Sequence, residues 1–108
     1  MFDILFLEQA ANFLDEIENK ARTKILFNLK KAQLKNDPEL FKKLKGTDIW
    51  EFRTLFEKKQ YRILAFWDKR DNKNTLVICS NGFIKKTDKT PKTEIEKSEL
   101  LRQKYFNQ

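Results

Sequence analysis

The stretch Ile49-Trp50-Glu51-Phe52-Arg53-Thr54-Leu55-Phe56-Glu57-Lys58-Lys59-Gln60-Tyr61-Arg62-Ile63-Leu64-Ala65-Phe66-Trp67 decides the fold. Successive side chains of a strand point to opposite sides, so a period of two is the mark of a sheet. In the first run Trp50, Phe52, Thr54 and Phe56 fall on one face, and Ile49, Glu51, Arg53 and Leu55 on the other. In the second run Tyr61, Ile63, Ala65 and Trp67 alternate with Arg62, Leu64 and Phe66. The polar Glu57-Lys58-Lys59 between them is short enough to close a hairpin. Asp68 to Lys73 is a second charged turn, and Thr75 to Ser80 is nearly continuously apolar, as expected of a strand central in a sheet. Asn81-Gly82 is read as the end of that strand, which completes a three-strand antiparallel meander.

Upstream, Phe2 to Leu7 reads as a short strand, after which Ala10, Phe13, Leu14, Ile17 and Ala21 recur at helical spacing. A weak break at Lys20 to Thr23 separates this helix from a second one, marked by Ile25, Leu26, Leu29 and Ala32 and carrying Lys24, Lys30, Lys31 and Lys35 on its other face. Asn36-Asp37-Pro38 ends the helical hairpin, because the residue before a proline is pushed out of helical backbone. Downstream, Lys85 to Lys92 is a basic loop, and Thr93 to Phe106 reads as a terminal helix with Glu94 and Glu96 in its first turn. The expected class is α+β: an N-terminal strand and helical hairpin packed on an antiparallel sheet, then a C-terminal helix, with the helices on one side. Residues 1–108 have room for a single domain.

Composition narrows the chemistry. With 40% hydrophobic and 36% charged residues, the chain is too apolar for disorder and too charged for a membrane span. Ten Phe supply much buried area per residue, which suits a small core. The 23 Lys and Arg against 16 Asp and Glu give a net charge of +7, which favours a polyanionic partner. There is no His, so catalysis must run on Lys, Arg, Tyr and carboxylates. The lone Cys79 cannot form an internal disulfide and reads as a reduced core residue. Met1 to Leu7 is too short for a span and lacks a basic segment before it, so a cytoplasmic location is expected. Neither a Gly-rich phosphate loop nor metal-ligand spacing is present, so no cofactor and no metal are expected.

Strand alternation puts Glu51 and Arg53 on one face, where Arg62 joins them across the hairpin. Two planar guanidinium forks suit a phosphate and the charge that grows on it during phosphoryl transfer. The plainer reading is a cross-strand ion pair between Glu51 and either arginine, and spacing alone leaves both open. Lys85, Lys86, Lys89 and Lys92 surround a single Asp88, a net +3 finger suited to a nucleic-acid backbone or simply a solvated loop. Lys42, Lys43 and Lys45 form a similar basic stretch. Tyr61, Tyr105, Phe106, Trp50 and Trp67 are candidates to stack an unpaired base, although core packing accounts for most of them.

Taken in order, Leu44-Lys45-Gly46, Ile49-Trp50-Glu51-Phe52-Arg53, Gln60-Tyr61-Arg62-Ile63 and Gly82-Phe83-Ile84-Lys85-Lys86-Thr87-Asp88-Lys89-Thr90-Pro91 resemble the RelE/ParE toxin superfamily. The resemblance is to its HigB-like, phage-derived Gp49-like branch. It implies a type II toxin that enters the ribosomal A site and cuts mRNA without a metal. Its expected partner is a cognate antitoxin, often a helix-turn-helix (HigA-like) protein, and DNA contact comes only through that complex. By the same resemblance Arg53 and Arg62 hold the scissile phosphate, Lys85 and Lys86 add phosphate contacts and proton transfer, and Tyr105 stands where some relatives place a C-terminal His or Tyr. Two other functions fit the same residues: a ParE-like toxin that inhibits DNA gyrase without cutting RNA, and a non-catalytic basic RNA-binding module.

Overall fold

The computed structural model describes residues 1–71 and 76–108. Its elements, in chain order, are β1 (Asp3–Phe6), α1 (Glu8–Glu16), α2 (Asn19–Leu34), β2 (Phe41–Lys43), β3 (Trp50–Phe56), β4 (Lys59–Asp68), β5 (Leu76–Lys85) and α3 (Lys92–Phe106). The fold is α+β, built on one five-stranded sheet in the order β1-β5-β4-β3-β2. The meander β3-β4-β5 is antiparallel, as the alternation requires. The expected turn at Asp68 to Lys73, and Thr75 at the start of the third strand, fall partly or wholly outside the described residues.

The β3–β4 hairpin is tighter than its sequence suggests. Phe56 pairs with Lys59, so only Glu57 and Lys58 form the loop, with φ of 49° and 67°. Positive φ at both loop residues is the conformation whose twist matches two right-twisted strands, and here it is adopted without Gly or Asn.

Two short strands extend the meander. β2 lies antiparallel beside β3, with Phe41 opposite Phe52 and Lys42 opposite Glu51. β1 runs parallel to β5, with Asp3 opposite Leu76 and Phe6 opposite Cys79. β5 is therefore interior, and Val77, Ile78 and Cys79 are fully buried.

Asn81-Gly82 does not end β5. The strand runs on to Lys85, with Leu64 paired to Asn81 and Ala65 to Cys79, so that Ser80 bulges between them. Both residues are used inside the sheet. The Asn81 amide donates to the Glu94 carboxylate, and a Cβ at Gly82 would lie 2.4 Å from Cδ2 of Phe13. The glycine makes room for an α1 ring rather than for a turn.

The helices occupy both faces, not one. Ala21, Ile25, Asn28, Leu29 and Ala32 form the buried stripe of α2, and with Ala10 and Leu14 of α1 they cover Phe52, Tyr61, Ile63, Ala65, Val77 and Cys79. α3 covers the opposite face, where Ile95 packs on Ile49, Leu64 and Phe83 and the Ser98 hydroxyl meets that of Ser80 at 2.7 Å. Placing α3 there buries Leu64, Phe66 and Ile78 of the central strands, which would otherwise face water.

The break between α1 and α2 falls at Ile17-Glu18, earlier than the periodicity indicates, and both residues are extended. Arg22 explains it. Its guanidinium donates to the carbonyl oxygens of Leu14, Asp15 and Ile17, which satisfies acceptors that the end of α1 leaves without intrahelical partners.

Candidate functional site

The face of the sheet that carries α3 is only partly covered by it. The C-terminal half of the helix lies over Phe66 and Asp68, and its N-terminal turn reaches Asn81 and Phe83. Beyond that turn β3 and β4 present Glu51, Arg53 and Arg62 on the same face. Arg53 and Arg62 are direct partners across the antiparallel ladder. The two-residue turn fixes that register locally, and alternation fixes the face.

One carboxylate lies between the two cations. Glu51 Oε1 is 3.5 Å from Nε of Arg62 and 3.7 Å from Nε of Arg53, while Oε2 accepts a short hydrogen bond from the Thr90 hydroxyl. The cross-strand ion pair anticipated as the plainer reading is thus formed, and it is shared. The two arginines differ sharply in access, with side chains 4% exposed for Arg62 and 35% for Arg53. Arg62 donates from Nη1 to the Tyr61 carbonyl and from Nη2 to the Gln60 side chain at 2.7 Å. Its Nε makes no hydrogen bond, alone among the buried side-chain polar atoms of the described residues. Burial lowers the Arg62 pKa, Glu51 opposes that shift, and Arg53 adds to it. A guanidinium nevertheless stays protonated at any ordinary pH, so it remains a fixed charge.

An open groove of about 430 Å³ runs past these arginines, bordered by Glu39, Leu40, Leu55 and Gln60. It exists because β2 pairs with β3 only as far as Phe52. One step further Arg53 N–H donates to the Leu40 carbonyl, and the chain then leaves the edge of β3 uncovered.

The basic finger is tied to this place. Lys85 ends β5 opposite Gln60, the residue that holds Arg62. Lys86 and Lys89 are exposed in the loop, and Thr90, near its end, anchors it to Glu51. Lys92 is exposed at the start of α3. Lys42 lies opposite Glu51 on the edge strand. Lys43 is paired with Trp50 and faces a different cavity, and Lys45 is exposed in the turn before β3.

Tyr105 is not part of the cluster. Its hydroxyl donates to Asp68 at 2.7 Å, six residues along β4 from Arg62, or roughly 20 Å at strand rise. Asp68 also binds Arg70 through both carboxylate oxygens. Hydrogen bonding to Arg70 holds the Asp68 carboxyl below its ordinary range, and burial raises the Tyr105 hydroxyl. Tyr61 is sealed in the core beneath α2. Gln60 and Thr90 were missed as site residues. Both lie inside the stretches that carry the family resemblance, but only their contacts with Arg62 and Glu51 place them at the site.

This architecture is the RelE fold. The structure superposes on the isolated E. coli RelE toxin with a TM-score of 0.59 and 16% identity, covering 94% of this chain and 99% of that one. It also superposes on a chain of the intact E. coli RelBE toxin–antitoxin complex, with a TM-score of 0.60 and 17% identity over 81% of this chain and 100% of that one. Residues 12–102 match the family described as phage-derived protein Gp49-like (DUF891), and the chain belongs to that family. No curated protein matches it by sequence.

Proposed function

We propose that the chain is the toxin of a type II toxin–antitoxin pair and acts as a ribosome-dependent mRNA endonuclease. The observation that carries this reading is the direct pairing of Arg53 with Arg62 around a single carboxylate, beside an open groove and a lysine-bearing loop. Two guanidiniums and one carboxylate leave a net positive charge where a phosphate would enter, and Arg62 Nε still lacks an acceptor.

In the proposed reaction the ribose 2′-oxygen attacks its own 3′-phosphorus, and the bond to the leaving 5′-oxygen breaks. The 2′-hydroxyl gives up a proton and the 5′-oxygen takes one, which leaves a cyclic phosphate and a free 5′-hydroxyl. Arg53 and Arg62 neutralise the charge that accumulates on the non-bridging oxygens, the effect expected of donors fixed in place before the reaction. Lys85 and Lys86 supply further phosphate contacts and proton transfer. Lys42, Lys43, Lys45, Lys89 and Lys92 contact the RNA backbone. With the ribosome aligning the substrate, little further acid–base equipment is needed.

The proposed inhibitor is a cognate antitoxin of the helix-turn-helix (HigA-like) kind, and the proposed compartment is the cytoplasm. Support comes from the fold shared with RelE, which the RelBE structure shows bound to its antitoxin, and from the excess of cations on the site face.

Primer extension on mRNA from a reconstituted translation reaction tests the proposal, with codon-phased cuts expected only when ribosomes are present. The burial of Arg62 in an ion pair favours one competing reading, a ParE-like toxin in which the arginine serves the fold. Inhibition of gyrase supercoiling with intact mRNA would establish that reading and overturn the nuclease.

A further inference from the structure

At the other end of β4 lies a second cavity, of about 500 Å³, bounded by the start of β3, the end of β4 and the last turn of α3. Its walls combine two kinds of group. Trp50, Trp67 and Phe106 provide aromatic surface, and all three rings are half-buried with part of each left accessible. Lys43, Lys69, Arg70 and Arg102 provide four cations against one lining acid, Asp48.

The charges are not all internally balanced. Arg70 is bound by Asp68 at 2.8 Å, and Arg102 by Glu99 at 2.8 Å and Asp48 at 3.6 Å. Among the described residues no carboxylate lies within ion-pair distance of Lys43 or Lys69. The Lys69 ammonium instead sits 5.8 Å from the centre of the Trp67 ring. An exposed cation held over an indole beside an open cavity leaves both groups ready for a ligand with a flat apolar ring and a negative charge. The arginines reinforce this, since Arg70 and Arg102 lie 5.1 Å and 5.6 Å from the centre of the Phe106 ring.

We propose that this cavity binds one unstacked nucleotide of a single-stranded RNA, with the base against the Trp67–Trp50 surface and the 5′-phosphate between Lys43 and Lys69. Aromatic stacking takes any base and cations take its phosphate, which is how sequence-tolerant single-strand sites are built. The site deepens the function proposed above and rests on it for its biological substrate. Trp67 is five residues along β4 from Arg62, roughly 17 Å at strand rise. Alternation puts Trp67 and Trp50 on the face opposite Arg62 and Arg53. An RNA strand occupying both places would therefore have to pass around the sheet between them, and the cavity would anchor it at that remove from the phosphate between the arginines.

The test uses the only two tryptophans of the chain, both of which border the cavity. Titration of the full-length protein with AMP should quench their emission saturably in the millimolar range. Adenosine should bind more weakly, and inorganic phosphate should compete without quenching. Lys43→Glu and Lys69→Glu, both at exposed positions, should each weaken AMP about tenfold, the loss expected for one charge-assisted contact. Circular dichroism should show them folded, and Arg53→Ala should bind AMP as the wild type does. Absence of saturable quenching, quenching by phosphate alone, or quenching lost in Arg53→Ala but kept in the lysine variants would overturn the proposal. mRNA cleavage without AMP binding would reject this site and leave the nuclease standing, and AMP binding without cleavage would do the reverse.

Discussion

Arg53 and Arg62 face each other across β3 and β4, and Glu51 is within 4 Å of both. Two like charges are thereby held side by side at almost no exposure for one of them, an arrangement that is tolerable only while the carboxylate is present.

Glu51→Gln removes that compensation and leaves Arg62 buried beside a like charge. Breaking a buried pair from one side costs about 3 kcal/mol, so the urea midpoint should fall sharply. Adding Arg62→Met should recover part of the loss, because the stranded charge goes with it. A loss below about 1 kcal/mol for Glu51→Gln would show that the pair contributes little to the fold.

Arg53→Ala separates chemistry from stability, since its side chain is 35% exposed. Melting should change by no more than about 1 kcal/mol. If the guanidinium stabilises the transition state, codon-phased cleavage should drop by about 100-fold or more, and growth arrest should disappear. Full toxicity in a folded Arg53→Ala protein would remove this residue from the reaction.

Lys58 holds a φ of 67° in the β3–β4 turn. A left-handed non-glycine residue costs roughly 1–2 kcal/mol, and glycine relieves that at some cost in chain entropy. Lys58→Gly should therefore stabilise the domain by about 0.5–1 kcal/mol in chemical denaturation, without affecting cleavage. A destabilised Lys58→Gly protein would show that the lysine side chain contributes more than the strain it brings.

Gly82→Ala should destabilise by about 1–3 kcal/mol, as overpacking does, because the new methyl meets Phe13 at 2.4 Å and Ile63 at 2.9 Å. Trimming the ring with Phe13→Leu in the same protein should make the combined loss smaller than the sum of the two single losses. Strict additivity in that cycle would place the clash elsewhere.

Asp68 governs part of the acid stability. Its folded pKa is depressed, first by hydrogen bonding to Arg70, which outweighs the opposing effect of burial, and further by the hydrogen bond from Tyr105. A depressed folded pKa contributes stability that is complete above the unfolded value, near 3.9, and is lost as pH falls toward the folded one. Wild-type stability should therefore fall below about pH 4 more steeply than that of Asp68→Asn, with the two curves running parallel above about pH 5. Identical acid limbs would show that the carboxylate titrates alike in the folded and unfolded chain.

The β3–β4 hairpin and its arginine face were legible because their causes are local. A period of two assigns faces, and a short turn sets which residue meets which. The helical stripes of α1, α2 and α3 were equally readable, since a helix satisfies its own backbone. Asn81-Gly82 misled for a definite reason. The pair is ordinarily a turn signal, and nothing nearby in the sequence announces that Phe13 needs the space above Gly82 or that Glu94 will take the Asn81 amide.

The alternation of residues 49–67, the helical periods on either side and the surplus of cations by themselves determined an α+β domain that brings Arg53 beside Arg62. Tertiary structure alone decided that β1 joins β5 in parallel, that α3 crosses to the opposite face, that Glu51 is shared by both arginines, and that Tyr105 belongs to Asp68 instead. Short-range periodicity is written into consecutive residues. Which buried polar groups find one another depends on surfaces that come together only when the core closes.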